Sequence, residues 1–313
     1  MQADDFAARL DDRVAEARRA YATEHPHSAA WSDRAHRVMP GGNTRSVLHF
    51  EPFPFRVERA AGCTLWDVDG HRYVDLLGNY TAALLGHAPE SVLAAARQAL
   101  ESGWSLGATH PNETRLAELI VERFHSISKV RFTNSGTEAN LMAIALAVHH
   151  TGRRKVVVFR HGYHGGVLAF GDRPSPIDVP HDWLLSDYND TAALEAAFDR
   201  DGDDIAAVLV EPMQGSAGCI PGDPDFLGAC RDLTSRHGAV LIFDEVMTSR
   251  FSVGGAQQLL GLTPDLTTLG KYLAGGLTFG AFGGRDDIMS SFDRRRGGEL
   301  THAGTFNNNV ASM

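Results

Sequence analysis

Three apolar runs constrain this chain most: Val156-Val157-Val158-Phe159, Ala206-Ala207-Val208-Leu209-Val210 and Val240-Leu241-Ile242-Phe243. Each has the length of a strand and lacks polar alternation, so helices must cover both of its faces. A fourth strand is expected at Val130-Arg131-Phe132-Thr133. The spacing between these runs predicts helices near 90–102, 112–124, 138–149 and 224–237. Strands alternating with helices in this way predict an α/β fold, with a mostly parallel central sheet sandwiched between helices. Ahead of it, residues 3–38 read as one or two surface helices ended by Pro40-Gly41-Gly42. Runs at 55–58, 64–68 and 73–76, the last two joined by the turn Asp69-Gly70, predict a small β unit. We therefore expect an N-terminal segment over 1–75 and a large α/β domain over 76–313.

In such a sheet, ligands sit beyond the carboxyl ends of the strands. Those ends read Thr133-Asn134-Ser135-Gly136-Thr137, His161-Gly162-Tyr163-His164-Gly165, Glu211-Pro212-Met213-Gln214 and Asp244-Glu245-Val246, all polar or glycine-rich. Ser135 with Glu138 three residues on is a capping-box pattern, and the turn offers free amides and a positive dipole end suited to a phosphate. Alone, it is equally a capped helix with no ligand. Asp244 ends a buried run, where a carboxylate without a cationic partner is costly. A protonated pyridine nitrogen would be such a partner; a cap on the next element is the alternative.

Among 29 lysines and arginines only three are lysine: Lys129, Lys155 and Lys271. The first two precede apolar strands as polar lead-ins. Lys271, in Leu269-Gly270-Lys271-Tyr272-Leu273, has no charged helical face around it and is the candidate for amine chemistry. Tyr163 could lie on a planar ring, although a loop tyrosine is more often packing. None of the 32 glycines forms a G-x-G pair, so the dinucleotide fingerprint is absent. Gly270-Lys271 lacks the leading glycine of a P-loop.

A net charge of −10 would repel nucleic acid. No apolar run reaches the ~18 residues of a membrane span. Cys63, Cys219 and Cys230 lack metal spacing and read as reduced thiols of a cytoplasmic protein, with no metal expected.

Together these stretches, with Gly304-Thr305-Phe306 near the end, resemble the class III aminotransferases of fold type I. The resemblance is closest to the β-amino-acid aminotransferases acting on β-phenylalanine-like substrates, with glutamate-1-semialdehyde aminomutases as relatives. It implies pyridoxal 5'-phosphate as cofactor and a ping-pong transfer of an amino group from an amino acid to a 2-oxo acid. Lys271 would carry the cofactor covalently and shuttle protons, and Asp244 would pair with the ring nitrogen. Ser135, Gly136 and Thr137 would hold the phosphate, with Tyr163 and Val246 on opposite ring faces. Thr305 would reach the phosphate in the partner of a homodimer with shared sites.

Where the aminomutases read Val-Asn-Ser-Pro-Val-Arg after Pro-Gly-Gly, this chain reads Asn43-Thr44-Arg45-Ser46-Val47, which favours the transferase over the mutase. Arg45 is the candidate for the substrate carboxylate; a surface arginine paired with Glu51 is the alternative. The family continues beyond the Thr305 segment with a C-terminal lobe of about 100 residues. Such a lobe is missing before Met313, so a truncated, non-catalytic chain is a further alternative.

Overall fold

The computed structural model describes residues 2–173 and 175–313. By contacts the chain divides into two units, 1–80 with 84–93, and 81–83 with 94–313.

In the first unit, helices Gln2–Glu24 and Pro26–His36 precede an antiparallel sheet of β1 (Val57–Ala61), β2 (Thr64–Asp67) and β3 (Arg72–Val74). The buried Asp67 anchors it, accepting from the amides of Asp69 (3.0 Å) and His71 (2.8 Å) and from the Tyr73 hydroxyl (2.8 Å).

The second unit carries β4 (Lys129–Thr133), β5 (Lys155–Phe159), β6 (Trp183–Ser186), β7 (Ile205–Val210), β8 (Met213–Gln214), β9 (Ile220–Pro221), β10 (Val240–Asp244), β11 (Leu266–Gly270) and β12 (Gly280–Gly284). β8 and β9 form a separate ribbon. The other seven form one sheet in the order β4-β12-β11-β10-β7-β5-β6. It is parallel from β6 to β11, while β12 runs antiparallel to both neighbours.

Alternate residues of the apolar runs serve the two faces. Val156, Val158, Leu209 and Ile242 pack on helix Gly136–Thr151. Val157, Phe159, Val210 and Phe243 pack on helices Thr191–Asp201 and Pro224–His237. Every residue of β7 and β10 is buried, as continuous apolar strands require. Among the strands of the large sheet, β6, β11 and β12 were not expected: β6 forms one edge, and β11 and β12 lie between β4 and β10. No helix among the described residues is long and apolar enough to cross a membrane.

Candidate active site

β4 ends at Thr133, and the chain turns at Ser135 into helix Gly136–Thr151. Ser135 caps that helix, its Oγ accepting from the Glu138 amide (3.2 Å). The reciprocal half of the capping box is displaced by one residue: Glu138 Oε2 accepts from the Asn134 amide (2.9 Å) instead of that of Ser135. The amides of Gly136 and Thr137 lie in the first turn, where no intrahelical acceptor exists. Close packing forms the walls. A Cβ on Gly136 would lie 2.9 Å from Val246 Cγ2, and one on Gly165 would collide with Thr137 Oγ1. Gly165 also has a φ of +133°, a conformation side chains resist. The result is a helix N-terminus whose amides border open space, an arrangement suited to an anion.

Asp244 closes β10 and is only 4% exposed. Its Oδ2 accepts from Asn140 Nδ2 (2.8 Å) and His164 Nδ1 (2.8 Å), and its Oδ1 from the Val246 amide (3.0 Å). Asn140 is itself held, donating to the His164 carbonyl (2.9 Å) and accepting from Thr268 Oγ1 (2.7 Å). Burial alone would push the Asp244 carboxyl up. The hydrogen bond and charge of His164, the Val246 amide and the charge of Lys271 overcome burial and hold it below the usual carboxylate range. Burial likewise works against a charged His164, yet Asp244 raises it. Each group thus favours the charged form of the other.

Lys271 follows β11 in a left-handed conformation with φ of +52°. Burial lowers its amine from the ordinary lysine value, with Asp244 and Glu211 opposing and Arg250 adding to the effect. That amine has no hydrogen-bond acceptor among the described residues. Glu211, at the end of β7, accepts from the amides of Tyr163 (2.9 Å) and Gly215 (3.2 Å), and burial pushes its carboxyl up.

Gly136, Thr137, Tyr163, Asp244, Val246 and Lys271 line one cavity of about 190 Å³. All six were candidates from the sequence, and Ser135 adjoins them as the helix cap. Asn140, His164, Glu211 and Met247 line it too, with no role foreseen. Their signal was present for His164 and Glu211, which lie in strand-end segments, but absent for Asn140, an interior helix residue. Thr305 is exposed and does not line this cavity. Its segment is tied to the helix start through Asn307 Oδ1, which accepts from Asn134 Nδ2 (2.9 Å).

Arg45 belongs to the first unit. There Nη1 donates to Asn79 Oδ1 (3.4 Å), and the guanidinium lies 4.5 Å from the Tyr80 ring centroid. Glu51, the alternative partner, faces His49 (4.0 Å).

Comparison with known proteins gives a consistent answer. The family model for class III aminotransferases matches residues 48–171 and 177–313. The β-phenylalanine transaminase of Variovorax paradoxus is 53% identical over 306 residues, which span 98% of this chain and 70% of that protein. The crystal structure of the β-phenylalanine aminotransferase from that organism superposes with a TM-score of 0.94, covering 97% of this chain and 70% of the other. A glutamate-1-semialdehyde 2,1-aminomutase of Rhodopirellula baltica is 44% identical, over 92% of this chain and 69% of that protein. A transaminase solved with PLP bound is 35% identical with a TM-score of 0.86, covering 92% of this chain and 71% of that one. The chain is a pyridoxal-phosphate-dependent transaminase of the α/β fold, and it belongs to the class III aminotransferases.

Proposed function

We propose that this aminotransferase takes its amino group from a β-amino acid bearing an apolar, β-phenylalanine-like side chain. The observation that carries this reading is the 53% identity to the β-phenylalanine transaminase across nearly the whole chain. The residues present fit pyridoxal phosphate. An ionised, buried Asp244 suits a cationic ring nitrogen, the first-turn amides at Gly136 and Thr137 suit a phosphate, and a desolvated lysine amine suits an aldehyde.

When bound, the cofactor supplies an electron sink that stabilises negative charge developing at the substrate carbon. The chain supplies the rest. Lys271 is the residue we assign to hold the cofactor and then to carry the proton. Asp244, fixed by His164 and Asn140, keeps its partner nitrogen protonated. Ser135, Gly136 and Thr137 would hold the phosphate, and Tyr163 and Val246 would pack against the ring. Met247 adds an apolar wall to the same cavity, in keeping with an apolar substrate.

Arg45 is assigned to the substrate carboxylate, since a guanidinium matches it with two parallel hydrogen bonds. The protein works as a homodimer in which Thr305 serves the partner's site. The exposure of Thr305 and of the neighbouring Phe306 (57%) supports this. Three unpaired cysteines support a cytoplasmic location. The test is the first half-reaction with β-phenylalanine and no acceptor. A spectral change with release of the oxo acid supports a transferase. Activity confined to internal amino exchange in an amino aldehyde would support the aminomutase reading, motivated by the 44% identical relative.

A further inference from the structure

Glu211 lines the cavity, yet the assignments above give it no part. It is 7% exposed, and a carboxylate in the interior is costly unless its oxygens are hydrogen-bonded. Both of them are. Oε2 accepts from the Tyr163 amide (2.9 Å), in the loop after β5, and Oε1 from the Gly215 amide (3.2 Å), in the turn after β8. Glu211 is itself fixed, its carbonyl accepting from the Tyr188 hydroxyl (2.7 Å). Two N–H donors converging on one side chain call for a carboxylate, which offers an oxygen to each. Glutamine would turn its own NH2 towards one of them, and aspartate is a methylene shorter.

The two amides lead to walls of the cavity. The Tyr163 ring is 46% exposed and makes no hydrogen bond or aromatic contact among the described residues, so its backbone must set its place. That backbone is held by a single bridge to Ala169 and by Glu211. Gly215 abuts Met247, since a Cβ on it would overlap the Met247 sulfur. We propose that Glu211 is a positioning residue, a latch that ties the Tyr163 loop to the Gly215 turn and thereby holds the Tyr163 ring where it meets the cofactor. Gln214 Nε2 donates to the Arg160 carbonyl (2.8 Å) and joins the same two segments outside the cavity lining, so they stay attached when the latch is cut. The proposal rests on the assignment of Tyr163 to the cofactor ring.

Equilibrium dialysis of the full chain against pyridoxal phosphate, with visible circular dichroism of the bound cofactor, tests it. Glu211→Gln should weaken binding about tenfold and shrink the dichroic band at saturation. The same substitution should cost as much in a Tyr163→Phe background. In Tyr163→Leu it should cost less than about twofold, because the latch then has no ring to hold. Glu211→Asp keeps the charge near Lys271 but loses reach, and should behave as Glu211→Gln does. If Glu211→Gln does not fold, Glu211→Asp carries the same comparison. Wild-type binding in folded Glu211→Gln, wild-type binding in Glu211→Asp, or an undiminished Glu211 loss in Tyr163→Leu would overturn the proposal. The Tyr163→Leu single variant separates the two assignments. If it binds the cofactor with wild-type affinity and dichroism, the ring assignment fails. If it weakens binding while the Glu211 loss stays unchanged, this inference alone fails.

Discussion

His164 Nδ1 lies 2.8 Å from Asp244 Oδ2, and both side chains are removed from water. The contact joins the loop after β5 to the end of β10 and fixes both the direction and the charge of the carboxylate. Replacing Asp244 by Asn keeps the shape but removes the charge. Asp244→Asn should therefore retain cofactor while turnover falls about a hundredfold or more, since each ~1.4 kcal/mol is tenfold in rate. Steady-state kinetics on cofactor-saturated enzyme check this, and near-normal turnover would count against the ring-nitrogen role.

The same pair should leave a mark on stability without cofactor. His164 is raised, so its contribution is complete below the ordinary imidazole value of about 6.5 and fades as pH rises through the folded value. Asp244 is lowered, so its contribution is complete above about 4 and fades as pH falls through the folded value. The pair therefore stabilises most between about pH 4 and 6.5. Urea unfolding of wild type and His164→Gln should differ most near pH 6, with the gap narrowing towards pH 9. A gap that widens with pH would contradict this coupling.

Much of this fold was legible because β5, β7 and β10 are apolar on both faces; of the helices that cover them, those at 136–151 and 224–237 were expected and Thr191–Asp201 was not. β11 and β12 were not legible. Thr267 and Thr268 break the apolar pattern of the other strands, yet both are wholly buried in β11, where the Thr267 and Ser126 hydroxyls share a hydrogen bond and the Thr268 hydroxyl donates to Asn140 Oδ1. β12 reads Gly-Ala-Phe-Gly-Gly, and its glycines are there because a Cβ on Gly280 or Gly284 would strike the Ser135 or Asp265 carbonyl. In the site, Asp244 stood out through its strand-end position, and Lys271 as the one of three lysines that neither leads into an apolar strand nor sits on a charged helical face. Asn140 could not, because it meets Asp244 across 104 residues of chain and only the folded sheet joins them.

Gly165 should tolerate no side chain. Its positive φ and its contact with Thr137 mean that Gly165→Ala must displace either the loop or the helix start. Cofactor affinity should fall about tenfold or more, at ~1.4 kcal/mol per tenfold, with the far-ultraviolet spectrum unchanged. Equilibrium dialysis against pyridoxal phosphate measures it; wild-type affinity would show that this wall plays no part in binding.

Arg45 makes one long hydrogen bond and a ring contact, which leaves its guanidinium donors available. Truncation to Ala should weaken binding of a β-amino acid, by roughly 2–5 kcal/mol where the bound substrate removes the guanidinium from water, as it is exposed without substrate. The matching amine without a carboxylate should be little affected. Equal losses on both substrates, or none on either, would assign Arg45 to structure.

The central claim is that Lys271 alone bears the cofactor, and borohydride reduction followed by peptide mapping tests it most directly. Wild type should carry the reduced cofactor on Lys271 and on neither Lys129 nor Lys155. Lys271→Ala should bind the cofactor without any reducible linkage and should not turn over. A reduced adduct on another lysine of wild type, or a linkage surviving in Lys271→Ala, would contradict the account.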